Sequence, residues 1–533
     1  MSALTGTRHL VRLLLRRDRL LLPLWVLVLA ALPMTYAASY FELFPTAAER
    51  AAYLEGTARN PSIVALLGPA YGDSVGGLTA QRSGFLLLIV ALASLLTVIR
   101  HTRTEEEAGR RELLGGSVLG RHAGLTAALL VTYAADLVLG LLTAAGLVST
   151  GLPVGGSLAY GLVTVLTGVV FATLGGLAAQ LTETAGGGRG IGLAGLGAAF
   201  GLRLAGDTAG NDWPSWLSPL GWAARVRPYE GERWWVLVLP LAATVLLAVL
   251  AYPISIRRDL GAGVLPPRLG PAGAGGALSG PFGLAWRLHR GQILWWSVGF
   301  GLLGLILGGA AEAAGRSVEG SPRMEEIVAR LGGASGMADA YLGVTLSLAG
   351  LAAAGYGIQA ALRMRAEEAA GHAEPVLATG TRRSTWLLSH VTFALLGPVV
   401  VLAVTGLATG VTYGLSTGDV PRQLGRMLAA GLAQVPAAWV LAGLAVLLYG
   451  LLPRLASAAW VVLAVCVLLG QLGAVLELDQ WLLDVSPFTH TPQVLRATWT
   501  PTPLYVLTAL AVTLATAGLL TFRRRDLPAL DPR

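Results

Sequence analysis

Two short charged blocks hold most of the chemistry this sequence can offer. "RTEEEAG" spans residues 103–109 and "RAEEAAG" spans 365–371, each set between long apolar runs. In the first, Glu105 and Glu106 precede Gly109, and Arg121 closes the block; in the second, Glu367 and Glu368 precede Gly371, and Arg383 closes it. Glu105 to Gly109 and Glu367 to Gly371 are four-residue steps, which predicts a shared helical face for each pair. The simplest alternative is a solvated loop whose charges only keep it out of lipid, but recurrence in both halves favours two docking elements for a two-fold symmetric partner. The histidines, among them His101, His122 and His372, lack a metal-binding spacing, so no metal site is expected. The single cysteine, Cys466, lies in an apolar run and reads as a small buried hydrophobe.

The elements that must position these blocks are membrane helices. Of 533 residues 54% are hydrophobic and 13% charged, where soluble domains carry roughly 25% charged residues. Runs of about 20 apolar residues suffice to cross a bilayer, and they predict an all-α polytopic membrane protein. Twelve spans are expected, near 20–38, 84–100, 124–148, 153–180, 190–206 and 234–256, then 292–311, 341–362, 386–413, 428–452, 455–476 and 502–522. The fifth is short and carries Arg203, so it is expected to be tilted, re-entrant or broken. The first run has a counterpart at the seventh span and is read as a span, not a cleaved leader.

All 38 basic residues are arginine. A Walker A loop needs a lysine for the terminal phosphates, so this chain has no standard ATPase site. The net charge of +8 does not predict nucleic-acid binding, because the arginines cluster beside apolar runs as topology signals. Their placement puts both blocks and both termini in the cytoplasm. "RHLVRLLLRRDRL" before the first span predicts a helix lying in the interface, and "LAWRLHRGQILWW" before the seventh predicts a similar one, with Trp286, Trp295 and Trp296 at the membrane surface. The Gly- and Pro-rich stretch 261–283 reads as a linker, dividing a first half, 1–260 with block 102–121, from a second half, 284–533 with block 363–383.

The halves are a tandem repeat. Besides the blocks, "IVALLGPAYG" (63–72) matches "IVARLGGASG" (327–336), "RRDL" occurs at 257–260 and 524–527, and "WLSPL" (216–220) resembles "WLLDVSPF" (481–488), in the same order and at nearly constant offset. Six spans per half is an even number, so both halves enter the membrane alike. They are expected to be related by a pseudo-two-fold axis along the membrane normal, with a pathway at their junction.

A six-span unit with an interfacial N-terminal helix and an Arg/Glu block closed by glycine between spans 2 and 3 resembles ABC-2-type permeases (type V exporter-like). The fused twelve-span form resembles actinobacterial tetronasin and polyketide antibiotic exporter permeases. The resemblance implies that each block is a coupling helix seated in a separate cytoplasmic ABC ATPase. Glu105, Glu106 and Gly109 would engage one ATPase copy and Glu367, Glu368 and Gly371 the other, with Arg121 and Arg383 anchoring the return to the membrane. The blocks differ: Arg110-Arg111 stands where His372-Ala373 does, and Leu113 where Pro375 does. The resemblance further implies that ATP and Mg are bound by the two partner subunits, with no cofactor in this chain. It implies export of a lipophilic small molecule, antibiotic or multidrug-like, from the plasma membrane of a bacterium.

Asp136, near the middle of the third span, costs about 2.5–3.5 kcal/mol on insertion scales and is expected to face a cavity or a partner, with Arg203 one candidate. Cation recognition or gating and a buried polar helix contact are both open for it. Gln359, Gln434 and Gln471 are candidates to line a pathway or to bond between helices. The external segments 39–83 and 312–340 are expected to form matched helical caps. Three readings remain in play: the exporter permease, including one for lipids; an ion-coupled secondary transporter, which would call for more ionisable residues at mid-membrane; and a scaffold that docks other proteins.

Overall fold

In lipid each backbone N–H and C=O must find its partner within the chain, and the apolar runs accordingly fold as helices. The computed structural model describes residues 3–110, 119–208, 212–259, 261–265, 273, 275–316, 333–472, 479–495 and 500–525. Among them eleven helices are long and apolar enough to cross a membrane, and the chain divides into two units, Met1–Gly270 and Pro271–Arg533. The longer helices of the first unit are α1 (Thr7–Arg17), α2 (Leu21–Leu43), α3 (Gly84–His101), α4 (Ala123–Ser149), α5 (Val154–Leu181), α6 (Ala185–Thr208) and α7 (Val238–Arg257). Those of the second are α8 (Pro281–Arg316), α9 (Gly333–Ala369), α10 (Arg383–Thr417), α11 (Val420–Leu432), α12 (Val435–Leu451), α13 (Ala459–Leu472) and α14 (Thr502–Arg524).

The two units begin differently. α1 is amphipathic, buries Leu14, and ends with Arg16 and Arg17 in its last turn, where cations complement the helix dipole. Asp18 then breaks the chain away from α2; it is buried, ion-paired with Arg100 and hydrogen-bonded to His101 Nε2 at 2.8 Å. The second unit has no such break. Pro281–Arg316 is one continuous helix, so the segment before the seventh span is not a separate interfacial helix. Trp286 and Trp295 are exposed, whereas Trp296 turns inward against Phe300 and Tyr356.

The weakly apolar fifth segment is a full-length helix. α6 has 24 residues, about 36 Å at 1.5 Å per residue, enough to cross a core of about 30 Å. At its start Ala185 N–H donates to Glu107 Oε2 (2.9 Å) and Arg189 reaches Thr104 (3.3 Å). Near its end Arg203 donates to the carbonyls of Ala65 and Leu66, both at 2.9 Å. Those two anchors flank the opposite ends of α3, so α6 runs antiparallel to α3 over the same depth. Arg203 is therefore tied to the Pro61–Leu67 helix and to Asp207 (3.5 Å), not to Asp136.

Small residues set the closest helix approaches, as expected where lipid removes the hydrophobic drive between helices. A Cβ on Gly140 would lie 2.6 Å from Gly161 O, and one on Gly161 2.7 Å from Gly140 O, which fixes α4 against α5. In the second unit the same reciprocity joins α12 and α14: a Cβ on Gly450 would lie 2.4 Å from Gly518 O, and one on Gly518 2.6 Å from Val446 O. Backbone atoms cannot swing aside, so Gly450→Val must push the helices apart. The expected cost is about 1–3 kcal/mol, read as a lower unfolding midpoint of the detergent-solubilised protein; an unchanged midpoint would refute the close packing.

Residues 39–83 form a small helical layer of Ala47–Tyr53, Pro61–Leu67 and Val75–Arg82. Gln81 Nε2 bonds the carbonyls of Ala58 (2.7 Å) and Gly68 (2.9 Å), and Ser74 donates to Glu230 at 2.5 Å. Of the proposed counterpart, residues 317–332 lie outside the described residues, as do 111–118 of the first block.

Candidate functional site

The first block is built on the end of α3. Thr102 breaks the helix, and Arg103–Glu107 forms one further turn. Gly109 has φ +70° and its N–H returns to Glu106 O at 3.0 Å. In the second block α9 runs straight to Ala369, and Gly371 has φ +74° with its N–H on Glu368 O, also 3.0 Å. Left-handed backbone is where glycine carries no steric penalty, which explains the glycine in both blocks. It also corrects the expectation of a shared helical face: Gly109 and Gly371 end the helix and lie off the face of Glu105 and Glu367.

Glu106 is the electrostatic centre of the first block. Arg258 clamps it in bidentate fashion, Nη1 to Oε1 and Nη2 to Oε2, both 2.7 Å. Arg103 Nη1 lies 3.1 Å from Oε2, and Gly261 N–H donates to Oε1 at 2.8 Å. Arg258 also donates Nε–H to Gln180 Oε1 (2.8 Å) and Nη1–H to Ala262 O (2.9 Å). The Glu106 side chain is 3% exposed and Arg103 is fully buried. Such planar, multiply bonded guanidinium–carboxylate pairs are directional and strong.

The second block repeats the central pair. Glu368 is ion-paired with Arg525 and accepts from Tyr449 Oη at 2.5 Å. Arg525 Nη1 donates to Tyr449 O (2.8 Å), its guanidinium lies over the Tyr449 and Phe522 rings, and Arg383 Nη1 donates to Arg525 O (2.8 Å). Arg258 and Arg525 are the second arginines of the two "RRDL" segments. In each unit, therefore, the second glutamate of the block is held by the arginine that follows that unit's last spanning helix.

Glu105 lies nearer the surface than Glu106, whereas Glu367 and Glu368 are about equally buried. Glu105 is paired with Arg17 at the end of α1 and with Arg110 (2.8 Å), and Glu367 with Arg363 and His372, both 3.1 Å. Their side chains are 14% and 15% exposed, and Arg121 is exposed. The expected linker is partly built into this site: Arg103 donates to Ala262 O (2.8 Å), Leu265 N–H bonds Leu181 O (2.9 Å), and residues 281–283 already belong to α8. The "WLSPL" and "WLLDVSPF" match is structural as well. Ser218 and Ser486, both buried before a proline, each cap a helical turn through Oγ.

The polar residues of the spans fall into different places. Asp136 is buried and accepts from Ser94 Oγ at 2.7 Å, packed so closely on α5 that a Cβ on Gly168 would lie 2.3 Å from its carboxyl carbon. Its other carboxylate oxygen, Oδ2, is buried without a hydrogen-bond partner. Gln359 is exposed on α9, and the side chain of Gln471 lies outside the described residues. Gln434 is buried at the junction of α11 and α12.

A helical chain with this many crossings, and with an arginine-clamped charged block repeated in each unit, is a polytopic membrane protein. Residues 278–523 match the family described as multidrug efflux system permease Rv1217c, C-terminal domain. Over 526 residues, 98% of this chain and 96% of the relative, the sequence is 42% identical to multidrug efflux system permease protein Rv1217c of Mycobacterium tuberculosis (strain ATCC 25618 / H37Rv). The chain belongs to this family of multidrug efflux system permeases.

Proposed function

We propose that this chain is the permease subunit of an ATP-driven ABC exporter that moves lipophilic small molecules out of a bacterial cell through the plasma membrane. The observation that carries the reading is the duplicated clamp, Glu106–Arg258 and Glu368–Arg525, which gives each unit a rigid charged turn fixed to its last spanning helix. Two such turns suit two copies of a cytoplasmic ATPase, which would bind ATP and Mg. Both termini would then be cytoplasmic, and the two six-helix halves would be related by a pseudo-two-fold axis along the membrane normal. Within each block the roles divide by partner: the second glutamate is held by the arginine after the last spanning helix, and the first pairs with exposed neighbours. Glu106 and Glu368 hold the turn in place, while Glu105, Gly109, Arg121, Glu367 and Gly371 present the contact surface and Arg383 secures the chain beside Arg525. Closure of the ATPase pair would load both turns and bias the permease between its states, as a ligand can only through differential affinity. Sparse ionisable residues at mid-membrane, with Asp136 held by Ser94, weigh against an ion-coupled transporter.

The reading is tested with the permease and its ATPase co-reconstituted in proteoliposomes. Ethidium is expected to move only with ATP and Mg present. Movement driven by an ion gradient without nucleotide would overturn it in favour of a secondary transporter.

A further inference from the structure

One short helix is attached to both feet of the first charged block. Where the chain returns from the block toward α4, Gly120 N–H bonds Thr5 O at 2.9 Å and His122 N–H bonds Ala3 O at 3.0 Å. Where the block leaves α3, Arg17 is ion-paired with Glu105, and Asp18 is held by Arg100 and His101. Between these attachments lies α1, 11 residues long, about 16 Å at 1.5 Å per residue. It is a strap across the base of the block. The second block is held differently: among the described residues Glu367 pairs with Arg363 and His372, which flank it in the sequence.

One face of the strap is committed to the protein and another is open. Leu14 is buried, and Leu10 and Val11 pack against the same cluster of α2, α3 and α4 residues. Arg8, Arg12 and Arg16 recur every four residues, which sets them on one face, and all three are exposed. The carboxylates gathered at this end of the unit are taken by other cations: Asp18 by Arg100, Glu105 by Arg17 and Arg110, and Glu106 by Arg103 and Arg258. Leu13 and Leu15 flank the arginine row and are 49% and 47% exposed. An acidic protein surface would satisfy the arginines and leave the leucines unmatched. The headgroup layer of a bilayer takes both, with guanidinium at the phosphates and leucine at the acyl boundary.

We propose that α1 is a docking surface for anionic phospholipid, and that a membrane holding its arginine row fixes the first block in the position that receives the ATPase. Attraction of this kind reaches about 8 Å in physiological salt, so it acts only on a helix lying against the headgroups. Were α1 lifted from them, Arg17 and the Ala3–Thr5 segment would move with it, and both feet of the block would loosen. The effect on docking rests on the exporter reading, whereas the lipid contact stands on α1 alone.

The full-length permease is placed in nanodiscs of phosphatidylcholine, with or without phosphatidylglycerol, and association of its ATPase is titrated against empty discs of the same lipid. Phosphatidylglycerol is expected to tighten association about fivefold, and about 0.5 M salt to remove the difference between the lipids. Arg8→Gln, Arg12→Gln and Arg16→Gln together should lower association in phosphatidylglycerol to the phosphatidylcholine level and leave the latter within about twofold. Arg17→Gln, which cuts the tie to Glu105, should also remove the lipid dependence. Lipid contact is read separately on the permease alone, from the immobilised fraction of spin-labelled phosphatidylglycerol, which the triple variant should lower and Arg17→Gln should not. Equal association in the two lipids overturns the proposal. So does tightening by inorganic phosphate in phosphatidylcholine discs, which would make the row a site for free anions. A triple variant that loses association equally in both lipids would assign the row to an acidic surface of the ATPase instead. Row-dependent lipid contact in a permease that binds no ATPase would keep the partner of α1 and remove the exporter reading. ATP-driven export that is indifferent to lipid charge would do the reverse.

Discussion

Replacing Glu106 with alanine is expected to destabilise the first unit by about 3–5 kcal/mol, the range for removing one member of a buried ion pair. Two guanidiniums, Arg103 and Arg258, would lose their shared carboxylate in a place that water scarcely reaches, and the Gly261 N–H would lose its acceptor. Glu106→Gln keeps an acceptor for one arginine and should cost less. Glu368→Ala should also cost less, because Arg525 is partly exposed and stays stacked on two aromatic rings. Thermal unfolding of the detergent-purified variants, followed by the loss of the monodisperse chromatographic peak, ranks the three. An ordering in which Glu368→Ala is the worst, or in which Glu106→Ala matches the unaltered protein, would show that the buried cluster is not what holds the first turn.

The double variant Glu105→Arg, Glu367→Arg is expected to reduce ATP-driven export at least tenfold while the permease still purifies as a folded protein. Arg17, Arg110, Arg363 and His372, the partners of the two glutamates, are at least one-third exposed. They can turn to solvent when the carboxylate is reversed, and pairs of this kind contribute about 0–1 kcal/mol to stability. A partner surface that reads the sign of the block has no such freedom, because like charges set against each other at an interface cost several kcal/mol. The measurement is co-purification with the ATPase alongside transport. Should association and transport both survive the double reversal, the blocks are not the handles.

The repeated features legible from residue types alone were the repeats, the spans and the paired blocks, because each is written as a run or a motif. The division of labour within a block was not legible. Glu105 and Glu106 are adjacent and chemically identical, and only the approach of Arg258, 152 positions away, decides which one is internal. "RRDL" was visible as a repeated string, yet its role depends on α7 and α14 returning to the blocks. The glycines ending each block stand out by their spacing, while their use is a left-handed turn that spacing does not encode. Asp136 and Arg203 made a plausible pair by charge, but each had a nearer partner in Ser94 and in Asp207 with the carbonyls of Ala65 and Leu66.

α6 has a consequence for biogenesis. With Arg203 and Asp207 in its last turns it is a poor candidate for entering lipid unaided, so its insertion depends on α3 and the Pro61–Leu67 helix being there to receive it. Among the described residues eleven segments are apolar enough to enter by hydrophobicity, an odd number, so the sense in which everything downstream is threaded turns on whether α6 is carried across with them.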